Sequence, residues 1–399
     1  MTTLTERVAA EIRRHGPLPL ERVLELALYD PAGGFYETGG RSGRRHGDFL
    51  TSPEVGPLFG AVVARALDGW WRAMGSPDPF VVVDAGAGPG TLCRTVLASG
   101  SLACAPALRY VLVERSAALR RLHAETLRLE DPALAFAPVD PDTEEPVPEA
   151  PRGPICVSLA EMPRVARSGV IVLANELLDN LPFGLAERRA GEWHEVLVEL
   201  STPGSFRERL VPLDGERAAL LDRLVPDPPE GARVPMQDAA RAWLREALEV
   251  AGPRGRVVVI DYSATTAELA RRPQHEWVRT YRGHRRGGGI LDDLGEQDVT
   301  CEVALDQLAT VRRPESDQPQ AEWLRRWGID ELVAEGRRLW SERAGETDLA
   351  ALTARSRVAE SETLLDPSGL GRFLVLEWGT SGGPAGPVAS GAGLPPPAR

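Results

Sequence analysis

The sequence predicts an α/β fold: an open, mostly parallel sheet with helices on both faces. Three observations carry this reading. Short apolar, β-branched runs recur at Phe80–Val83, Arg109–Val113, Gly169–Ala174 and Val257–Ile260, the mark of strands buried on both sides. Segments with helical spacing lie between them. The first run ends in an acid, Asp84, then in Gly86, Gly88 and Gly90, and Thr91–Leu97 reads as the opening of a helix. A strand, a glycine turn and a helix start in that order form a nucleotide-type site, because glycine admits close backbone approach and the helix end offers free N–H donors.

The glycine spacing narrows the ligand. A dinucleotide fingerprint needs G-x-G-x-x-G, and counting from Gly86 and Gly88 the third position is Thr91. The pattern is acid-x-G-x-G-x-G, which resembles class I S-adenosylmethionine (SAM) methyltransferases. The second acid expected after the next strand is present: Arg109–Val113 is followed by Glu114, a carboxylate able to accept from both ribose hydroxyls. The cofactor candidates are therefore Asp84, Gly86, Ala87, Gly88, Gly90, Thr91, Leu92 and Glu114. The predicted architecture is a class I methyltransferase Rossmann-like open sheet, with an N-terminal helical lid segment and an inserted α/β subdomain on the substrate side.

Composition bounds the function. A hydrophobic content of 43% with 26% charged residues fits a soluble globular chain. No apolar run is long enough for a membrane helix, and the first residues lack a signal-peptide core, so no membrane insertion is expected. A net charge of −12 argues against general nucleic-acid binding and suits a cationic ligand or basic peptide. Cys93, Cys104, Cys156 and Cys301 have neither metal nor disulfide spacing, which reads as thiols in a reducing cytoplasm, with no metal site. Arginine dominates over lysine beside much Ala, Gly and Pro, a high-GC bacterial bias.

Taken in order, Leu4–His15 and Leu20–Leu28 read as helices broken by Gly16-Pro17. Tyr29–Gly40 is turn-rich. Gly47–Gly60 leads into a helix expected from Ser52 through Leu67–Trp71, with Pro53 and Glu54 in its first turn. This stretch is either a lid or pocket wall or an ordinary surface connection. A helix is expected over 116–129, and 137–154 reads as an acidic, proline-rich surface loop. Residues 154–159 should form the third strand, placing Ser158 and Leu159 near an adenine. The fourth strand delivers Asn175 and Glu176 at its C-terminal edge, the position where open α/β sheets bind ligands. Trp193–Leu200 and Phe206–Val211 suggest a hairpin, Gln237–Val250 an amphipathic helix, and Phe373–Glu377 a last strand. Helices are expected at Ala321–Arg326 and Ile329–Trp340. The basic stretch 282–289, with His284, either binds phosphate or nucleic acid or is simply a solvated loop, and the tail from Gly379, rich in Gly, Pro, Ala and Ser, is expected to be disordered. These boundaries give an N-terminal unit 1–72, a first core part 73–182, an insertion 183–252, the rest of the core 253–379 and a tail 380–399.

Tyr29-Asp30-Pro31, Gly33–Tyr36, Gly47-Asp48-Phe49, Thr51–Glu54, Asn175-Glu176 with Asp179, Leu181 and Pro182, Asp261-Tyr262, Gly295–Thr300 and Gly371–Leu376 occur in one order along the chain. In this the sequence resembles the MidA-type SAM-dependent methyltransferases. Here the glycine motif departs mildly, with Asp84 where the family usually has Glu and with proline moved to Pro89. The family includes a mitochondrial arginine methyltransferase needed for respiratory complex I assembly. The resemblance implies SAM as cofactor and a protein substrate bearing a target arginine, and leaves room for a homodimer. An arginine acceptor needs carboxylates to hold its guanidinium. Glu176 and Asp179 are the first candidates, with Asn175, Glu54 and Asp298 behind them; helix capping or a structural ion pair is the plainer role for Glu176. Asp48, Thr51 and Ser52 are either SAM contacts or turn and cap residues. Methylation of a small metabolite, or SAM binding by an assembly factor without turnover, would use the same cofactor motif.

Overall fold

The computed structural model describes residues 3–38, 51–100, 102–136, 152–164, 169–202, 205–282, 285–343 and 349–379. Gly47-Asp48-Phe49, most of the acidic segment, His284 and the tail lie outside the described residues. The chain enters through helices α1 (Leu4–His15) and α2 (Leu20–Tyr29). Thr3 and Glu6 form a capping box that satisfies the first free N–H groups of α1. The buried faces of both helices pack with Phe183, Leu185, Val196, Val198, Trp277 and Val299. These helices are thus built into the inserted region rather than standing apart from it.

The core sheet has seven strands: β1 (Phe80–Ala85), β2 (Leu108–Val113), β3 (Ile155–Leu159), β4 (Ile171–Asn175), β5 (Arg256–Asp261), β6 (Ser316–Pro319) and β7 (Leu374–Gly379). Their spatial order is 3-2-1-4-5-7-6, with β7 antiparallel to both neighbours and the rest parallel. Alternation sends Phe80, Val82, Tyr110, Leu173 and Val258 to one face and Val81, Val83, Val111, Val172 and Val257 to the other. Both faces are covered, as the unbroken apolar runs require. On the first lie α3 (Pro57–Ala73) and α4 (Thr91–Leu97), with Phe59, Val63, Leu67 and Trp70 against the strands. After α5 (Ala117–Thr126) the chain reaches α6 (Asp238–Ala251), whose Leu244, Ala247 and Val250 cover the second face. Helices α7 (Gln320–Arg326), α8 (Ile329–Glu342) and α9 (Leu349–Leu365) lie between β6 and β7 in sequence.

Two local expectations change. The helix expected from Ser52 is broken: Ser52–Val55 forms one short turn, and α3 restarts at Pro57 after the extended Gly56. Glu360 of α9 explains the restart, since its carboxylate accepts from Leu58 N at 2.8 Å and caps α3 from outside the segment. The insertion also holds more strand than its hairpin. Gly184–Arg189 and Arg233–Met236 join Glu192–Thr202 and Ser205–Pro212 in a five-stranded sheet that includes Leu18–Pro19. Val278–Arg282 pairs with Asp298–Cys301 in a separate small sheet. No helix among the described residues is long and apolar enough to cross a membrane.

Candidate active site

Strands run outward from β1 in both directions, so β1 and β4 flank the point where strand order reverses, and the crevice opens beyond their carboxyl ends. The glycine loop leaves β1 there, and Asn175-Glu176 leaves β4.

Asp84 closes β1, buried, with its Oδ2 accepting from Tyr110 OH at 3.0 Å. Burial pushes its carboxyl up to about 7, and Glu114 adds to this against the tyrosine hydrogen bond. The loop turns on positive φ at Gly86 (+70°), Gly88 (+55°) and Gly90 (+80°). A Cβ on Gly86 would lie 2.7 Å from Leu177 Cδ1, whereas one on Gly88 would enter open space. The loop is pinned from the side of β2. Gly86 N and Ala87 N donate to Val113 O at 2.9 and 3.1 Å, and Gly88 N donates to Glu114 Oε2 at 2.9 Å. Glu114 Oε1 accepts from Ser116 N at 2.8 Å, which leaves lone pairs on both oxygens for further donors.

A pocket opens above this loop. The structure brings Thr51, Glu54, Asp84, Gly86, Ala87, Gly88, Thr91, Leu92 and Asn175 to its wall. Gly90 closes the loop from behind, its N donating to Ala87 O at 2.9 Å as α4 begins. Glu114 lies off the pocket wall, its carboxylate taken by Gly88 N and Ser116 N, and three further cofactor candidates sit differently from expectation. Ser52 is fully buried and its hydroxyl donates to Gln320 Oε1 at 3.0 Å, so only its backbone N–H faces the site. Ser158 and Leu159, at the end of β3, lie off the pocket wall. Ser158 Oγ is 2.8 Å from His123 Nδ1, and Leu159 O accepts from Glu114 N at 3.0 Å.

An acidic group adjoins the pocket through Asn175, with Glu176 and Asp179 themselves off its wall. Glu176 has a φ of +52°, a left-handed backbone uncommon for a non-glycine residue, and is held there by its N–H donating to Ile260 O at 2.8 Å. Its Oε1 accepts from Ser52 N at 3.0 Å and Asn175 Nδ2 at 3.1 Å, while its Oε2 is buried with no hydrogen-bond partner. Burial lifts this carboxyl to about 8, with Asp179 and Glu54 adding repulsion. Asp179 is 2% exposed, and its Oδ1 lacks a well-formed hydrogen bond, with the Tyr262 hydroxyl as its polar neighbour. Burial and then Asp298 push it to about 7.

Below them Asp261, fully buried at the end of β5, accepts from Leu178 N (3.1 Å) and Asp179 N (3.2 Å) on Oδ2 and from Tyr262 N (2.9 Å) on Oδ1. Burial raises its pKa well above the ordinary carboxylate range. Asp298 takes Tyr36 OH (2.9 Å), Asn180 Nδ2 (3.1 Å) and Val299 N (2.9 Å) on one oxygen, and burial lifts it to about 6. Rather than standing ready for an acceptor, as expected, Asp298 ties the N-terminal segment to the loop after β4. Among the described residues, no arginine or histidine pairs with any of these four acids, and no metal-binding cluster is present.

Sequence reasoning missed Asp261, His123, Asn180, Tyr36 and Gln320 as parts of this site. Asp261 had a usable signal, since it ends an apolar strand just as Asp84 does. His123 and Gln320 sit within helical patterns where nothing marks them.

The family model described as "Putative S-adenosyl-L-methionine-dependent methyltransferase" matches residues 62–319. The chain is 31% identical over 207 residues to "Protein arginine methyltransferase NDUFAF7 homolog, mitochondrial" from Drosophila melanogaster, covering 52% of this chain and 47% of that protein. The mouse "Protein arginine methyltransferase NDUFAF7, mitochondrial" is 26% identical over 364 residues, covering 83% of this chain and 75% of its own length. The chain thus spans about half of the first relative and three quarters of the second. A crystal structure of a Burkholderia thailandensis protein bound to S-adenosyl-homocysteine superposes with a TM-score of 0.76 at 26% identity, over 96% of this chain and 93% of that one. With its strand order and its pocket above the glycine loop, the chain belongs to this family of SAM-dependent methyltransferases.

Proposed function

We propose that the protein methylates an arginine side-chain nitrogen of a protein substrate, with SAM held over Gly86–Gly90 and the guanidinium held by Glu176 and Asp179. The observation that carries this is a group of four buried acids with which, among the described residues, no cation pairs: Glu176 Oε2 has no hydrogen-bond partner, and Asp179 Oδ1 has only the Tyr262 hydroxyl beside it. Buried like charges are costly unless a cation or protons offset them. A guanidinium is planar, always charged and able to donate to two carboxylates at once. The arginine methyltransferase names of the relatives point the same way.

The residues divide the work. The glycine loop fits the cofactor's amino-acid tail, because a side chain at Gly88 would project into the pocket and the positive φ of the loop favours glycine. Asp84 and Glu114 offer acceptors at its two ends. SAM, when bound, supplies a methyl group activated by the sulfonium. Glu54 and Asn175, on the pocket wall, lie between this loop and the acids. A carboxyl lifted to about 8 holds its proton near neutrality. An arriving guanidinium favours the ionised form, and the carboxylate can then accept the proton that the attacking nitrogen loses.

The test is transfer of labelled methyl from SAM into an extract of cells lacking the protein, followed by acid hydrolysis. Label in N-methylated arginine is the expected result. Label confined to small molecules, or none despite SAM binding, would replace this reading with a metabolite methyltransferase or a SAM-binding assembly factor respectively.

A further inference from the structure

We infer that His123, as the tautomer carrying its proton on Nε2, is a positioning residue that fixes the Gly88 peptide for cofactor binding. The inference rests on the reading that the glycine loop holds SAM. His123 is fully buried in α5, in a site where sequence gives it no part. Its Nε2 lies 2.8 Å from Gly88 O and its Nδ1 2.8 Å from Ser158 Oγ. A carbonyl oxygen can only accept, so Nε2 must carry the proton, and the serine hydroxyl is the partner able to donate to a bare Nδ1. Burial holds the imidazole below its ordinary pKa against the Gly88 hydrogen bond, which raises it, and Arg120 acts in the same direction as burial. The ring is therefore neutral.

The consequence concerns one peptide unit on each side of Gly88. Its N–H is taken by Glu114 Oε2 at 2.9 Å and its carbonyl by His123. Both clamps come from the continuous segment that ends β2 and forms α5. With φ at +55° and open space where a Cβ would be, Gly88 has no packing of its own to hold it. Through Ser158 the same ring links the loop to β3, which explains why a residue expected at the cofactor lies one step behind it. His123 acts through Gly88, which lines the pocket, and is not itself on the pocket wall.

The experiment is titration of S-adenosyl-homocysteine into the full-length wild type and into His123→Ala, His123→Gln and His123→Asn, with folding checked by circular dichroism. A glutamine amide can donate where Nε2–H stood; an asparagine amide reaches only the Nδ1 end. His123→Ala and His123→Asn should bind roughly tenfold more weakly, and His123→Gln close to wild type. In steady-state assays the loss should fall on the KM for SAM, with the acceptor KM unchanged. Imidazole ¹⁵N shifts of wild type should report a protonated Nε2 and a bare Nδ1 at neutral pH, a signature that survives even if the alanine variant does not fold. An Nδ1–H tautomer, wild-type affinity in His123→Ala, or equal impairment of the glutamine and asparagine variants would overturn the inference. Gly88→Val separates the two levels. If it too keeps full affinity, the glycine-loop reading fails; if it alone loses affinity, only the role of His123 fails.

Discussion

Replacing Glu176 with glutamine should stabilise the free protein while sharply weakening transfer. Glu176 is lifted from an ordinary 4.5 to about 8, so its folded-state pKa is raised above the unfolded one. Below pH 4.5 both states hold the proton and the group costs nothing. As pH rises through the window from 4.5 to 8, the unfolded chain gives up its proton while the folded one retains it, and stability falls. At 1.36 kcal/mol per pH unit the loss is about 3 kcal/mol at pH 7 and about 5 kcal/mol above pH 8. Glutamine does not titrate, so Glu176→Gln should recover much of this above pH 5, and the gain should vanish toward pH 4. Its amide can still accept from Ser52 N through its oxygen. The guanidinium would lose a charge-assisted partner of ~1.5–3 kcal/mol, a fall of roughly 10- to 150-fold in kcat/KM for the acceptor. Urea unfolding of both proteins from pH 4 to 9, beside a methyl-transfer assay, measures both effects. A variant no more stable than wild type at pH 8, or one retaining transfer within a few-fold, would refute the reasoning.

Gly88→Val meets no neighbouring atom at its Cβ but puts a β-branched residue at a φ of +55°; it should cost about 1–3 kcal/mol of backbone strain in denaturation and cut S-adenosyl-homocysteine affinity by at least tenfold in calorimetry. Asp261→Asn should cost about 1–3 kcal/mol in chemical denaturation and lower transfer: one of its three backbone N–H donors would face an NH₂ group. Tyr36→Phe removes one donor from Asp298. It should destabilise by about 1 kcal/mol at pH 8 and by less at pH 5, where a carboxyl lifted to about 6 is already protonated; matched denaturation curves at the two pH values check this.

The sequence made the sheet legible where burial on both faces leaves only apolar residues, as at Val81–Val83 and Val257–Ile260. It did so again where backbone geometry demands glycine, as at Gly86, Gly88 and Gly90. What escaped it depends on partners distant in sequence. Ser316–Pro319 reads SDQP, with no strand character of its own, and becomes β6 only by pairing with β7. Helix α9 scatters its apolar residues around its axis rather than along one stripe, so it carries no periodic signal. Within the site, Glu176 and Asp179 were visible because they follow a core strand. The fixed role of Asp298 was not, because it is set by Tyr36 and Asn180, 262 and 118 residues away. Ser52 likewise read as a cofactor contact until Gln320, 268 residues on, claimed its hydroxyl.

The most direct test of the central claim is a crystal structure of the protein grown with S-adenosyl-homocysteine and a saturating arginine amide as guanidinium probe. The account predicts the cofactor's amino-acid tail over Gly86–Gly90, and the guanidinium within hydrogen-bond distance of both Glu176 Oε2 and Asp179 Oδ1. A guanidinium bound away from these two oxygens, or a cofactor away from the glycine loop, would contradict it.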